Sequence, residues 1–219
     1  MKHTPIEHLQ ALAGNKLKTR STPKQARALA RLQGILVSTA QVLEQHAPAD
    51  LSTSLIAEHA KIPVSSIYRY FPTLEELLDE LYEQSTEQLH ARLMDSMSGW
   101  NSEASWKDNL LRTLDIIREF LNSRPFYRAL HLLIMAQRGP QTVHEERHVA
   151  FIQFLTDRWE NGLDGFSGGD PEVVARICVQ MALTLEDLVA RQTDSGKEAI
   201  YFNELNRAIE QYLGHYLKP

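Results

Sequence analysis

Apolar residues recur along the chain at three- and four-residue intervals, the spacing of a half-buried helix, and runs of alternating β-branched residues between turn signals are absent. The pattern predicts an all-α protein. Thr22-Pro23 supplies a cap and first-turn signal, after which Leu29, Leu32, Ile35, Leu36, Thr39 and Leu43 line one face to about Gln45. The loop HAPAD leads to Ser52, a candidate N-cap, and to a short helix with Ile56 and Ala60 on its inner side. A second short helix begins near Pro63 and runs to about Tyr70, where Pro72 stops it. Thr73 and Glu76 form a capping-box signature that opens a long helix reaching to about Met97. Turn-rich breaks (SGWNSEAS, NSRP, RGPQ, NGLDGFSGGDP, TDSGK) divide the remainder into five helical segments, roughly 105–121, 125–138, 142–161, 171–191 and 197–217. About nine helices result.

Charge changes this picture. The net charge of −5 argues against a nucleic-acid partner, but the total conceals an asymmetry. Residues 1–72 hold nine Lys/Arg (Lys2, Lys16, Lys18, Arg20, Lys24, Arg27, Arg31, Lys61, Arg69) against four acids (Glu7, Glu44, Asp50, Glu58), a balance of +5. The rest of the chain carries −10, and no acid lies between Glu7 and Glu44. A basic head on an acidic body directs only the head toward phosphate, although a solvated charge run has the same composition.

The lone cysteine, Cys178, excludes an internal disulfide and a four-cysteine zinc framework, so a reducing, cytoplasmic setting is expected. The start, MKHTPIEHLQ, has no secretory apolar core. The most apolar stretch, His131 to Ala136, is far short of the roughly 20 residues of a membrane helix, so no membrane partner is expected.

Residues 52–71, STSLIAEHAKIPVSSIYRYF, place two short helices about a connection of helix-turn-helix length. On the second helix Ile67 and Phe71, four apart, face inward, leaving Val64, Ser65, Ser66, Tyr68 and Arg69 outside. That outer face suits a major groove: bulk is excluded near its start, hydroxyls reach phosphate or base edges, and Arg can fork onto a guanine. Any compact helical hairpin shares the spacing, so the pattern alone also admits an interaction module that does not bind DNA.

The run Ile56-Ala57-Glu58, Ala60, Ile62, Ile67-Tyr68-Arg69-Tyr70-Phe71-Pro72 and Glu75-Glu76-Leu77-Leu78 resembles the TetR-family signature, an IAE…AGVS…LYxYF block followed by a K-E-E-L-type helix. Ile35-Leu36…Ala40…Leu43 matches that family's first helix, and the similarity covers about residues 25–80. Three positions depart from the pattern: Lys61 replaces the usual turn glycine, Pro63 the usual capping serine, and Leu74 a common phosphate-contacting lysine. If the turn needs positive φ, Lys61 implies strain.

The resemblance implies a basic arm at 1–22, a three-helix DNA-binding domain at 23–72, and a helical ligand-sensing and dimerisation domain at 73–219. Ser52 and Thr53 would touch the DNA backbone, Val64, Ser65, Ser66 and Arg69 would face base edges, and Tyr68 and Tyr70 would bond phosphates. The arm with Lys16, Lys18, Arg20 and Lys24 would add salt-sensitive, sequence-independent affinity. The expected function is that of a homodimeric repressor released from a palindromic operator by a small apolar or aromatic effector.

For the effector, Trp106, Phe126, Tyr127, His131, Met135, Phe151 and Phe154 supply aromatic, sulfur and imidazole groups on the middle helices, where family members generally enclose their ligand. Each is equally suited to a plain core. His131 interrupts an apolar run, so it needs a hydrogen-bond partner if buried. For the dimer, the last two helices carry the stripes Ile177, Met181, Leu185, Leu188 and Leu205, Ile209, Tyr212, Tyr216, which a monomer core would also use.

One motif competes with this reading. His144-Glu145-Glu146-Arg147-His148 spells H-E-x-x-H, which on a helix places two imidazoles on one face beside a carboxylate, as zinc peptidases do. Glu160 or Asp164 would have to serve as third ligand. The alternative is therefore a helical zinc hydrolase, against a solvated helix face in a protein without cofactor or catalytic group. No nucleophile is paired with a base and an orienting acid, and no Gly-rich phosphate loop is present.

Overall fold

A computed structural model of the chain describes residues 23–100, 105–138, 148–191 and 195–218. Among these residues there are nine α-helices and no strand: α1 (Pro23–Gln45), α2 (Thr53–His59), α3 (Val64–Tyr68), α4 (Leu74–Ser98), α5 (Trp106–Ser123), α6 (Pro125–Arg138), α7 (Val149–Glu160), α8 (Pro171–Ala190) and α9 (Ser195–Leu213). Short polar side chains set several of the starts by accepting an amide that the helix cannot satisfy. The Glu76 N–H donates to Thr73 Oγ1, the Asp108 N–H to Ser105 Oγ, and the Val173 N–H to Asp170 Oδ1.

The helices group into two compact units that share elements. The first comprises Met1–Gln88 and Ser123–Ile134, and the second Leu89–Asn122 and Met135–Pro219. Thus α4 and α6 each contribute residues to both units, and neither unit is one continuous stretch of chain.

In the first unit, Ile35, Leu36, Ile56, Ile67, Leu77 and Leu81 are fully buried, one or two from each of α1 to α4, which is the outcome of the three- and four-residue spacing. Tyr82 and Tyr127 stack with ring centroids 5.6 Å apart, and Tyr82 Oη shares a 3.0 Å hydrogen bond with His131 Nδ1. His131 is thus the buried imidazole with a partner that its place in an apolar run requires.

In the second unit, α8 packs against both α7 and α9. Trp106, Leu114, Leu155, Trp159, Ile209 and Leu213 are among its buried side chains. The loop after α7 is tied down by a buried ion pair: Arg158 donates from Nε and Nη2 to the two carboxylate oxygens of Asp164, at 2.5 and 2.7 Å. Asp164 has φ +59°, which a short polar side chain tolerates better than a branched one, and its carbonyl accepts from the Lys218 N–H at 3.0 Å. The next residue, Gly165, also has positive φ, and a Cβ there would lie 2.8 Å from Lys218 Cβ.

Candidate functional site

Ser52 caps α2, its Oγ accepting the Leu55 N–H at 3.2 Å. At the other end, the Ile62 N–H reaches the Ala57 carbonyl and the Lys61 N–H reaches that of Glu58, the paired bonds of a Schellman closure. Such a closure places its first residue beyond the cap in the left-handed region, and Lys61 has φ +54°. The turn therefore demands the conformation that glycine adopts freely, and here a lysine adopts it at a cost. Pro63 follows with φ −62°, ending the turn and setting the start of α3.

These two closures fix which side of α3 faces away from the protein. Ile67 is fully buried and Phe71 nearly so, while Ser65, Tyr68 and Arg69 are exposed and Val64, Ser66 and Tyr70 half-buried. The exposed face is small at its amino-terminal end and ends in a phenol and a guanidinium. Tyr68 is 51% exposed, yet its hydroxyl lies 3.0 Å from Thr53 Oγ1, a buried group at the start of α2. That bond holds the phenol against the first motif helix and leaves most of the ring outside. Arg27, Arg31 and Lys61 add exposed cationic residues in the same unit. Lys16, Lys18 and Arg20 lie outside the described residues, as does the side chain of Lys24.

The second unit encloses a cavity of about 90 Å³ between α4, α5, α7, α8 and α9. Trp100, Trp106, Phe151 and Trp159 form its aromatic lining, and seven leucines, Leu93 and Leu217 among them, supply most of the remainder. The polar members are His90, Thr113, His148 and Asp164. His90 stands edge-on to His148 and to Phe151, at 5.2 and 5.0 Å between centroids. Burial among these rings pushes its pKa down to about 4, which keeps the imidazole neutral near pH 7. The Thr113 hydroxyl donates to the Asn109 carbonyl within its own helix, and Asp164 is held by Arg158. Cys178 also lines the cavity; burial pushes its thiol up to about 12, so it is an unreactive apolar group.

The side chains expected at an effector site are divided between the units. Trp106 and Phe151 line the cavity. Phe126, Tyr127 and His131 are buried in the first unit, the last two beside Tyr82. Met135 is buried in the second unit but does not line the cavity, and Phe154 sits edge-on to Trp100 over a separate shallow depression. The sequence reading missed His90, Trp100, Trp159 and the α8 and α9 lining; three tryptophans at 100, 106 and 159 were the available signal.

Of the stripe expected at a dimer interface, Ile177 is exposed and Met181, Leu188, Leu205, Tyr212 and Tyr216 are half-buried. Ile209 is fully buried inside the unit, and the side chain of Leu185 lies outside the described residues. Val173, Ile200 and Tyr201 are further exposed apolar residues on α8 and α9. Residues 144–147 of the H-E-x-x-H run also lie outside the described residues. His148 is buried, Glu160 is exposed, and Asp164 is engaged by Arg158. Among the described residues no group of three or more His, Cys, Asp or Glu is placed to hold a metal ion.

Together these features define a class: an all-helical protein whose amino-terminal unit presents a helix-turn-helix. More particularly, residues 35–81 match the family described as bacterial regulatory proteins, tetR family. The fold of the whole chain is similar to that of a putative TetR-family transcriptional regulator from Mesorhizobium loti, with a TM-score of 0.68 at 17% identity over 88% of this chain and 99% of that one. It is also similar to SmeT, the repressor of the Stenotrophomonas maltophilia multidrug efflux pump SmeDEF, with a TM-score of 0.63 at 16% identity over 85% and 90% of the two chains. A third likeness is to the multidrug binding protein EbrR complexed with imidazole, with a TM-score of 0.58 at 21% identity over 87% and 92%. No curated protein sequence matches the chain. The fold is thus that of TetR-family transcriptional regulators, and no described helix is long and apolar enough to cross a membrane.

Proposed function

We propose that the protein is a DNA-binding transcriptional repressor, released from its operator when a small apolar or aromatic molecule occupies the cavity of the second unit. The observation that carries this reading is the outer face of α3: small at its start, polar along its length, and closed by Arg69 on a helix whose opposite side is anchored by Ile67 and Phe71. Arg69 is assigned to base edges with Val64, Ser65 and Ser66; Tyr68, Tyr70 and the capping end of α2 at Ser52 and Thr53 are assigned to the sugar-phosphate backbone. Lys16, Lys18, Arg20 and Lys24 would add non-specific attraction.

A dimer is required to read a palindrome, and the exposed residues Val173, Ile177, Ile200 and Tyr201 support α8 and α9 as the pairing face. Two copies so joined would set their α3 helices about one DNA turn, roughly 34 Å, apart. Coupling to the effector follows from linkage. Because α4 contributes residues to both units, a ligand that prefers the non-binding arrangement by about 2.7 kcal/mol lowers DNA affinity 100-fold.

The test is selection of bound sequences from random duplexes, together with sedimentation of the protein. An enriched inverted repeat bound by a dimer is expected, whereas a dimer that enriches nothing over non-specific sequence would leave an interaction module. Ile177→Asp should give monomers with weakened operator binding; a persisting dimer would place the pairing face elsewhere.

A further inference from the structure

Thr53 opens α2 and Tyr68 closes α3, and their hydroxyl oxygens lie 3.0 Å apart. The two ends of this bond meet different surroundings. Thr53 is 9% exposed, whereas Tyr68 is 51% exposed and keeps most of its ring outside. A hydroxyl has one proton to give and lone pairs with which to accept, and its hydrogen turns to suit its neighbours. Tyr68 Oη is the partner that satisfies Thr53 Oγ1, and a buried hydroxyl stripped of its partner is costly, so the pair tends to persist whatever docks on the phenol.

Docking on a phosphate fixes the direction of both protons. A phosphodiester of DNA is ionised and its oxygens only accept, so a phenol that bonds one must donate outward. Its oxygen then keeps the bond to Thr53 only by accepting. The order becomes Thr53 Oγ1–H to Tyr68 Oη, and Tyr68 Oη–H to the phosphate. The two hydrogens turn while the oxygens stay where they are. Each bond in such a chain polarises the next, and a phenol already held against α2 has less side-chain freedom to lose on binding. Both groups are uncharged, so the chain displaces no counterion and reads no base.

We infer that Thr53 is a positioning residue for DNA binding: it holds the Tyr68 phenol ready and donates to its oxygen while the phenol donates to a phosphate. The inference rests on the assignment of α2 and α3 to DNA and narrows it, since the backbone contact assigned to Thr53 passes through Tyr68. Burial of Thr53 beneath an exposed phenol is what favours this order over a direct contact.

The test is a double-mutant cycle on the full-length protein, with Kd measured on the selected duplex and on an unrelated one across a salt series. Thr53→Val keeps the shape and removes the hydroxyl. It should weaken binding about 3- to 10-fold, equally on both duplexes and at every salt concentration, because a neutral phosphate contact changes neither the salt slope nor the preference. A variant that merely distorted the motif would instead lose the preference for the selected duplex. Thr53→Ser should recover most of the affinity. Tyr68→Phe should lose at least as much as Thr53→Val, and the double variant no more than Tyr68→Phe alone, since the second hydroxyl has nothing left to act through. If the valine is not accommodated, as circular dichroism melts would show, Thr53→Ala takes its place in the cycle. Additive losses, an unaltered affinity in Thr53→Val, or a serine variant no better than valine would overturn the inference and leave the repressor reading standing. Wild-type protein that binds neither duplex would overturn the repressor reading, and this inference with it.

Discussion

The two units differ in how the polar atoms of their buried aromatic side chains are met. In the first, aromatic hydroxyls are matched within the fold: Tyr82 to His131 Nδ1, Tyr127 to Thr86 Oγ1 at 3.4 Å, and even the exposed Tyr68 to Thr53. In the second, the three indole donors around the cavity find no acceptor among the described residues, while the one ion pair that lines it is closed on itself. Hydroxyls matched in this way hold the side chains around them in one arrangement, although Gln33 Oε1, His59 Nδ1 and Gln88 Nε2 of the same unit find no partner among the described residues. The cavity itself is lined by apolar and aromatic surface, which suits an apolar guest. The difference teaches that the two units are told apart by where their aromatic polar atoms find partners and not by hydrophobicity, since both bury many leucines and aromatics.

The strongest challenge to this contrast comes from Asp164→Asn. Asparagine tolerates the positive φ at this position, so the substitution removes the charge and leaves Arg158 buried without its counter-ion. Unfolding in denaturant should show a loss of about 3–5 kcal/mol. A loss below about 1 kcal/mol would mean that the pair is solvated and that the cavity is not closed to charge.

Acidification comes next. His90 has a folded-state pKa of about 4 against an ordinary value of 6.5, so the unfolded chain binds the proton more tightly. Stability is therefore intact above about pH 6.5, falls as pH drops toward 4, and loses at most about 3 kcal/mol from this group. In His90→Gln the pH dependence of melting between these values should flatten. An unaltered profile would assign the dependence to other groups.

Tyr82→Phe tests the first unit. It deletes the hydroxyl facing His131 and should cost about 1–1.5 kcal/mol in chemical denaturation, where a neutral result would mean that the hydroxyl contributes nothing to matching. Lys61→Gly carries the smallest effect, with the opposite sign. Relief of the left-handed lysine should exceed the added chain entropy and raise stability by about 0.5–1 kcal/mol, seen as a higher melting temperature.

The first unit was legible in the sequence because its determinants are local. Ser52, Pro63, Pro72 and Thr73 punctuate short helices, and Ile67 with Phe71 orients α3 from spacing alone. Even the strain at Lys61 could be anticipated from a glycine-type turn. The cavity was only half legible. Trp106 and Phe151 were anticipated, but periodicity assigns a residue to the inner face of its helix without saying which interior that face meets. Phe126, Tyr127 and His131 share the apolar helical face expected to line an effector site, yet α6 gives them to the first unit, where Tyr127 and His131 pack beside Tyr82. Ile209 illustrates the same limit on α9: a stripe at helical spacing serves a monomer interior as well as an interface, and here that residue is fully buried within its own unit.

The proposed role of α3 as the DNA-reading element is tested most directly by the affinity of wild-type and Arg69→Ala protein for the selected duplex and for an unrelated one across a salt series. If Arg69 forks onto a base, the substitution costs roughly 1–3 kcal/mol, about 5- to 150-fold, on the selected duplex and much less on the unrelated one. An equal loss on both would make Arg69 a phosphate contact only, and no loss on either would contradict the assignment of α3 to DNA.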